Sequence, residues 1–312
     1  MITRRGFLRA FGGLLAGAVA GGGYAFGVEP FRLRIQKYSP QLPGWPGSLR
    51  VRIAVLADLH ACKPWMTIER IRYVVAETQA LEPDLILLLG DYGAGTPWVT
   101  GWVHSADWSK ALSGLSAPLG VHAVLGNHDW WEDLTAQRNG HGPTFGQVAL
   151  ERVGIPVYEN RVVRIEKEGG AFWLAGLGDQ IALLPGRGWG RTSWKGVDDL
   201  AGTLTQVTDD APVILMAHEP DIFPSVPDRV ALTLSGHTHG GQVRLFGHSP
   251  IVPSRYRNRY AYGHVVEPGT ADAAAERHLI VSGGLGLSIL PVRFGVAPEI
   301  VLLDLGDLSS SG

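Results

Sequence analysis

Apolar runs that end in short polar blocks are the dominant pattern along this chain. Each run has the length and composition of a buried strand, and the polar block follows it directly. Five blocks occur: Asp58–Leu59–His60, Gly90–Asp91, Gly126–Asn127–His128–Asp129, His218, and Gly236–His237–Thr238–His239. Carboxylates, an amide and imidazoles are thus brought repeatedly to one edge of a sheet. This arrangement predicts a site for two metal ions, and two metal ions indicate phosphoester hydrolysis.

The spacing of the apolar positions predicts alternating strands and helices in the first half of the chain. Residues 31–38 alternate apolar and polar side chains, as an edge strand does. Thr67 is a plausible N-cap for the first helix. Further strands are predicted at 50–57, 84–89 and 120–125, and helices at 67–81, 105–115 and 145–153. This order favours a partly parallel sheet.

The second half of the chain changes character. Residues 162–165 and 172–177 flank Gly169–Gly170 and read as a hairpin. A helix is predicted at 197–207, and strands at 212–217, 231–234, 279–282 and 300–305. Residues 185–190 and 253–262 read as long loops, which are often functional. The whole set predicts an α/β fold, a four-layer sandwich of two mixed sheets flanked by helices.

Composition and charge limit the classes of protein to which this chain can belong. The chain has 312 residues, 45% of them hydrophobic and 18% charged, enough for a sizeable core. The net charge of −2 leaves no basic surplus, so no nucleic-acid partner is expected. Cys62 is the only cysteine, so no intrachain disulfide is expected. It follows His60 closely and is either a soft metal ligand or a residue buried beside the site; burial is favoured.

The N-terminus has the pattern of a targeting segment. Residues 3–9 contain a threonine, the pair Arg4–Arg5 and then Phe-Leu, which matches the twin-arginine export signal. Residues 10–28 carry no charge and include Ala18–Val19–Ala20, a small-x-small cleavage site. Cleavage of a signal peptide and retention as an anchor both stay open. Either way we expect an exported protein, periplasmic or on the outer face of the cytoplasmic membrane, that uses the twin-arginine export machinery.

The spacing within the blocks suits metal binding. Asp58 and His60 are two residues apart, as are His237 and His239, so each pair can reach one ion. The two oxygens of Asp91 allow it to bridge two ions. Imidazole suits Zn, Fe and Mn while carboxylate suits harder ions, so the mixed set favours a pair of divalent transition metals.

In this order and spacing the blocks resemble the calcineurin-like metallophosphoesterase superfamily, whose motifs are D-x-H, G-D, G-N-H-D/E, H and G-H-x-H. Finer motifs resemble its exported, membrane-associated branch related to UDP-2,3-diacylglucosamine hydrolases. These are Gly90–Tyr92, Asn127–Trp131, Gly236–Gln242, Gly283–Arg293 and Pro298–Glu299. The resemblance implies the metallophosphatase fold. It also implies a signal or anchor at residues 1–30 and a metallophosphoesterase domain at 31–308.

The resemblance also implies a role for each block. One metal would be held by Asp58, His60, Asp91 and His239, and the other by Asp91, Asn127, His218 and His237. A hydroxide bridging two Mn, Fe or Zn ions would attack phosphorus. His128 would contact the phosphoryl group, and whether it also protonates the leaving oxygen stays open. Many members carry an acid that orients this histidine three residues after the bridging aspartate, but here that position is Ala94. Asp129 is the candidate to replace it.

Substrate and partners are less constrained by the sequence. We expect a phosphodiesterase that acts on an envelope lipid or a nucleotide-lipid phosphoester at a membrane surface. The alternative is a catalytically silent metal-bearing scaffold at the membrane. Two groups of residues are weaker candidates: basic residues for phosphate or headgroups, and tryptophans for an apolar rim that contacts lipid. They are Arg255, Arg257, Arg259 and Arg293, and Trp98, Trp102, Trp108, Trp130, Trp131, Trp189 and Trp194. For the first three arginines a solvated loop face is favoured, and for the tryptophans core packing is favoured.

Overall fold

A computed structural model of the protein describes residues 3–186, 190–272 and 274–306, apart from the side chain of Phe7. Trp189 and the last two residues of the predicted 31–308 domain therefore lie outside the described residues. The helices are α1 (Arg4–Gly27), α2 (Ile68–Gln79), α3 (Ser105–Leu112), α4 (Asn127–Trp131), α5 (Leu134–Asn139), α6 (Phe145–Arg152) and α7 (Leu200–Leu204).

Five strands form the first sheet. In spatial order they are β1 (Arg34–Tyr38), β13 (Glu299–Leu305), β2 (Val51–Leu56), β4 (Leu85–Leu88) and β6 (Val121–Ala123). Strands β2, β4 and β6 are parallel, and β13 runs antiparallel to β2. The predicted edge strand is β1, which pairs with β13 in parallel. The sheet is therefore mixed, as predicted.

Six strands form the second sheet, which is also mixed. In spatial order they are β11 (Gly263–Pro268), β12 (Glu276–Val281), β10 (Val230–Ser235), β9 (Val213–Met216), β8 (Gly170–Gly176) and β7 (Arg161–Lys167). The predicted hairpin is β7–β8. Strands β8, β9, β10 and β12 are parallel. A two-stranded ribbon joins β3 (Cys62–Lys63) to β5 (Gly101–Trp102).

Burial on both faces of each sheet produces four layers. On β2, Ile53 and Val55 face the second sheet, whereas Ala54 and Leu56 face helices α2, α3 and α6. This alternation explains why the strand sequences are continuously apolar. The outer face of the second sheet packs against α7 and the short helix Pro220–Ser225. The predicted α/β four-layer sandwich is confirmed.

Helix α2 begins as predicted, because the Thr67 side chain accepts a hydrogen bond from the backbone N–H of Arg70 at 3.4 Å. Helix α7 is shorter than the predicted helix at 197–207. Within the described part of the chain, α1 is the one helix long and apolar enough to cross a membrane by length and composition. Its C-terminal end docks on the sandwich, where the N–H of Arg293 donates to the carbonyl of Ala25 at 2.9 Å.

Candidate metal centre

The predicted ligands meet where the carboxyl ends of the two sheets come together. Asp58, Asp91 and Asn127 follow β2, β4 and β6, while His218 and His237 follow β9 and β10. Because these strands are parallel within each sheet, their ends lie at one edge. The backbone ties the loops together there: the N–H of Asp58 donates to the carbonyl of Gly90 at 3.1 Å.

The first candidate metal site consists of Asp58, His60 and His239, all of them buried. One ligand atom from each lies within 4.8 Å of the others. His60 Nε2 lies 3.0 Å from His239 Nε2, and His239 Nε2 lies 3.5 Å from Asp58 Oδ1. Two imidazole nitrogens and a carboxylate converge here on a point that one ion can reach.

The second candidate metal site consists of Asp91, His218 and His237. His218 Nε2 lies 3.3 Å from Asp91 Oδ2. Asn127 joins this group, because its Oδ1 lies 2.8 Å from His237 Nδ1. The second site thus brings together a carboxylate, an amide oxygen and two imidazoles.

Asp91 lies between the two sites. Its Oδ2 is 3.5 Å from His60 Nε2 in the first site and 3.3 Å from His218 Nε2 in the second. Its other oxygen, Oδ1, accepts the backbone N–H of His128 at 2.8 Å. That bond fixes the carboxylate so that one oxygen faces both groups, the position that a bridging ligand requires.

Hydrogen bonds on the far side of two rings orient them into the centre. His60 Nδ1 lies 2.9 Å from the carbonyl of Gly93, and His218 Nδ1 lies 2.6 Å from the carbonyl of Leu89. A carbonyl on Nδ1 selects the ring form with Nε2 free to bind metal. Both Nε2 atoms consequently point toward Asp91.

The protonation states of three of the ligands also suit metal binding. Burial lowers the pKa of His60 to about 3, so this ring is neutral. Burial, together with His60 and Arg293, holds the pKa of His239 well below its ordinary value. Burial acts to raise the pKa of Asp91, but the charges of His218 and His128 outweigh it and hold that pKa well below its ordinary value. His60 and His239 are therefore neutral and Asp91 is ionised, which are the forms that ligate metals. Although burial opposes it, the Asp91 carboxylate raises the pKa of His218 well above its ordinary value, so a metal ion at the second site would have to displace the proton of this ring.

Two buried ligand atoms, Asp58 Oδ2 and His218 Nε2, have no hydrogen-bond partner among the described residues. A buried polar atom without a partner destabilises a fold, and a bound cation would satisfy both atoms. Burial also raises the pKa of Asp58 to about 7, although the charge of His218 opposes it, and a bound cation would favour the ionised carboxylate. The donor set therefore fits two divalent metals.

Backbone strain is concentrated in the same residues. Asp58, His60, Asp91, His237 and His239 all have positive φ, between 46° and 67°. This conformation is uncommon outside glycine, and such strain clusters at functional sites. The strained turns direct the side chains back across the strand ends. This strain could not be predicted from the sequence, because neither aspartate nor histidine marks a left-handed residue in the way that glycine does.

Two glycines in the blocks are required by close approach. A Cβ on Gly126 would lie 2.4 Å from Asp91 Oδ1 and 2.6 Å from His218 Cε1. Gly90 has φ of +93°, and a Cβ there would lie 2.4 Å from the backbone nitrogen of Gly126. Any side chain at either position would displace the bridging carboxylate or the loop that holds it.

His128 lies at the mouth of the centre and is half-buried. Its ring is 5.1 Å from that of His60. Its Nδ1 lies 3.6 Å from Glu132 Oε1, one turn along the short helix α4. Although burial opposes it, the charges of Asp91 and Glu132 raise the pKa of His128. An imidazole held in this way can donate a proton at the edge of the site.

Glu132 supplies the acid that is absent at position 94, and it is not among the site residues predicted from the sequence. Its Oε2 covers Gly93, where a Cβ would come within 2.7 Å. The sequence signal that could have identified Glu132 is its i, i+4 spacing from His128. This spacing is informative only if α4 is recognised as a helix. The alternative that Asp129 replaces the acid is wrong. The Asp129 carboxylate accepts the backbone N–H groups of Asp91, Tyr92 and Gly126 at 2.9–3.0 Å and so secures the loops.

The weaker candidates lie mostly outside the centre. Arg293 is fully buried and donates to the carbonyls of Gly283, Gly284, Gly286 and Val296. Its interpretation as an open phosphate ligand is therefore wrong. Arg255 and Arg259 are exposed and pair with Asp221 and Glu267. Cys62 lies in an apolar cluster with Trp65, Ala94 and Leu287.

The tryptophans divide into two groups. Trp108 and Trp130 are fully buried core residues, and Trp131 is half-buried. Trp98, Trp102 and Trp194 are exposed, and the ring of Trp194 packs 4.8 Å from that of Trp131. Core packing thus explains some of them, and an exposed aromatic group remains on the surface.

A sandwich that brings two Asp/His groups to its strand ends has the construction of a metal-dependent enzyme domain. The family model of the calcineurin-like phosphoesterases matches residues 51–241. The chain belongs to this family, and the matched segment is a metallophosphoesterase domain.

Curated relatives agree with this assignment. The chain is 31% identical over 97% of its length, and 98% of the relative's, to "Uncharacterized metallophosphoesterase YkuE" of Bacillus subtilis. It is 29% identical over 98% of its length to "Phosphodiesterase YaeI" of Escherichia coli, all of which is covered. It is 29% identical over 72% of its length to "Transmembrane protein with metallophosphoesterase domain" of Danio rerio, half of which is covered.

Proposed function

We propose that the protein is a dinuclear metal-dependent phosphodiesterase. The observation that carries this is the position of Asp91 Oδ2 between the two candidate sites. Asp58, His60 and His239 would hold one ion, Asn127, His218 and His237 the other, and Asp91 both. When bound, the two ions supply a nucleophile at neutral pH and neutralise charge on the phosphoryl oxygens. A complete donor set argues against the silent scaffold, because a scaffold has no need of seven converging ligands.

The chain's own residues perform the remaining steps. His128 contacts the phosphoryl group and donates a proton to the leaving oxygen, which favours departure of a poor leaving group. Glu132 fixes the ring of His128 and stabilises its protonated form. The hydrogen bond from the backbone N–H of His128 to Asp91 Oδ1 holds the proton donor and the bridging carboxylate in a fixed relative position. The name of the relative YaeI supports diesters over monoesters as substrates.

The proposed function is tested with two aryl substrates. The full chain, loaded with Mn²⁺, is expected to hydrolyse bis(p-nitrophenyl) phosphate with a higher kcat/KM than p-nitrophenyl phosphate. Release of nitrophenolate is followed by absorbance, with a chelator-treated sample as control. A preference for the monoester would overturn the phosphodiesterase assignment and leave the metal centre in place.

Glu132 is proposed as a positioning residue, and leaving-group dependence tests it. Glu132→Gln is expected to lower kcat/KM about 10-fold for an alkyl phosphodiester, whose leaving oxygen needs the proton. Nitrophenolate leaves without assistance, so the aryl diester should be hydrolysed at nearly the original rate. The control is Glu151→Gln, which alters an exposed glutamate on α6. Equal losses on both substrates would mean that Glu132 serves only the structure.

We further propose an exported protein with residues 1–30 as signal or anchor and 31–308 as the catalytic domain. The substrate would be an envelope lipid or nucleotide-lipid phosphoester, as in the branch that the motifs resemble. The paired Arg4 and Arg5 at the start of α1 and the length of this helix support export to the outer face of the membrane. The exposed Trp98, Trp102 and Trp194 support contact with lipid.

Export is tested by protease access. In a bacterial host, protease added to spheroplasts is expected to digest the full chain, whereas the double variant Arg4→Lys/Arg5→Lys should be retained inside and protected. A cytoplasmic marker protein controls for lysis. Protection of the unaltered chain would contradict export.

A further inference from the structure

An apolar groove of about 280 Å³ adjoins the candidate metal centre. Two loops form its walls, residues 238–253 and residues 288–292. Its lining includes His239, Val243, Pro250, Ile251, Leu290 and Val292. The volume is close to the lower end of small-molecule sites. His239 belongs to both the groove and the first candidate metal site, so a ligand in the groove lies beside the reacting phosphate.

The polar groups of the two walls are paired with one another. Gln242 donates to the carbonyls of Ser288 and Leu290 at 2.7 and 3.0 Å and accepts the N–H of Ser288 at 2.8 Å. The N–H of Phe294 donates to the Gln242 carbonyl at 2.8 Å. These groups are consequently occupied, and the surface that the walls offer to a ligand is apolar. Such a groove favours binding of the hydrocarbon part of a ligand over a polar group.

The rim of the groove exposes large apolar side chains to solvent. Ile251 is 75% exposed, Ile289 63% and Leu290 50%, and all three line the groove. Ile289 also has a positive φ, of 62°. Positive φ is a marked outlier for a β-branched or bulky residue, and burial within the protein does not offset it here. Contact with an apolar partner outside the chain would offset this strain.

Helix α1 ends beside the same groove. The N–H of Arg293, next to Val292 in the groove wall, donates to the carbonyl of Ala25 near the end of α1. The ring of Tyr24 packs 6.1 Å from that of Phe294. With α1 in a bilayer, this docking holds the groove at the membrane surface, where lipid chains begin.

We propose that the apolar groove binds one acyl or alkyl chain of an amphiphilic phosphoester whose phosphate lies at the metal centre. This rests on the proposed function and specifies its substrate class. The phosphate is held by the ions and the chain by the groove, with His239 at the junction. A lipid is thus selected over a water-soluble diester by the length of its chain.

The test uses alkylphosphonates, which have no ester bond to hydrolyse. The metal-loaded full chain, kept soluble in a lipid-free amphipathic polymer, is titrated by calorimetry with methyl-, butyl-, hexyl- and octylphosphonate. Each buried methylene should tighten binding about threefold, so the four additional methylenes from butyl to octyl should tighten it about 80-fold. Ile251→Asp should reduce that gain to less than about threefold. Because Ile251 is largely exposed, the substitution should not disturb the fold.

Two further variants keep the result decisive. Ile289→Asn, which suits a positive φ, should also reduce the chain-length gain. Val266→Asp, on the edge strand β11 and outside the groove, should keep it. The proposal would be overturned by equal affinity of the unaltered protein for all chain lengths. It would also be overturned if Ile251→Asp kept the full gain in affinity with chain length. Failure of the aryl diester assay alone would refute the proposed function and leave a chain-length gain standing as evidence for the groove.

Discussion

Replacing Asp91 by asparagine is expected to abolish phosphodiester hydrolysis, with kcat/KM lower by a factor on the order of 10³ or more. Asp91 Oδ2 is within 3.5 Å of a histidine nitrogen of each candidate site, so its loss weakens both. Asparagine keeps the shape and can still accept the N–H of His128, which isolates the effect of charge. Elemental analysis of the same samples should show fewer than two ions per chain.

Controls separate this effect from unfolding. Asp91→Asn should still unfold cooperatively in denaturant. Asp304→Asn removes a partly exposed partner of Arg52 and should leave turnover and metal content unchanged. His237→Ala should abolish turnover as well, whereas His141→Ala, at an exposed histidine, should not. Near-original rates in Asp91→Asn or His237→Ala would refute the two-metal assignment.

Replacing Arg293 by methionine is expected to lower the free energy of unfolding by about 3–5 kcal/mol. The guanidinium donates to four backbone carbonyls of the 283–296 segment, all of them buried, and methionine would leave these acceptors without a donor. The same loop packs against the first site, where a Cβ on Gly284 would lie 2.8 Å from Asp58. Metal content should therefore fall together with stability.

Denaturant unfolding with and without added metal measures this prediction. Arg255→Met is the matched control, because Arg255 is 70% exposed and should change stability by no more than about 0.5 kcal/mol. An Arg293→Met protein within about 1 kcal/mol of the original would mean that water replaces the lost donors and that the loop does not depend on the guanidinium.

The sandwich could be predicted because its strands are buried on both faces. Continuous apolar runs such as those of β4 and β9 stand out from the rest of the chain, and polar blocks directly after them mark the strand ends. The helices next to the site were harder to predict. Helix α4 has five residues and contains two site residues, so it shows no apolar period. The edge strand β11 is largely exposed and shows no continuous apolar run.

What the sequence did not show depends on contacts between distant segments. Glu132 approaches His128 only because α4 is a helix, and it fills space that Gly93 leaves open. Arg293 after a glycine-rich loop resembled a phosphate ligand, but the loop turns its carbonyls inward toward the guanidinium. The groove combines two segments about forty residues apart, each of which reads alone as an ordinary loop.

The most direct test of the two-metal phosphoesterase is metal content measured together with turnover. The full chain should bind two divalent ions, hydrolyse bis(p-nitrophenyl) phosphate, lose activity on chelation and regain it with Mn²⁺. A folded preparation with two ions per chain and no turnover of phosphomonoesters, phosphodiesters or pyrophosphates would contradict the account.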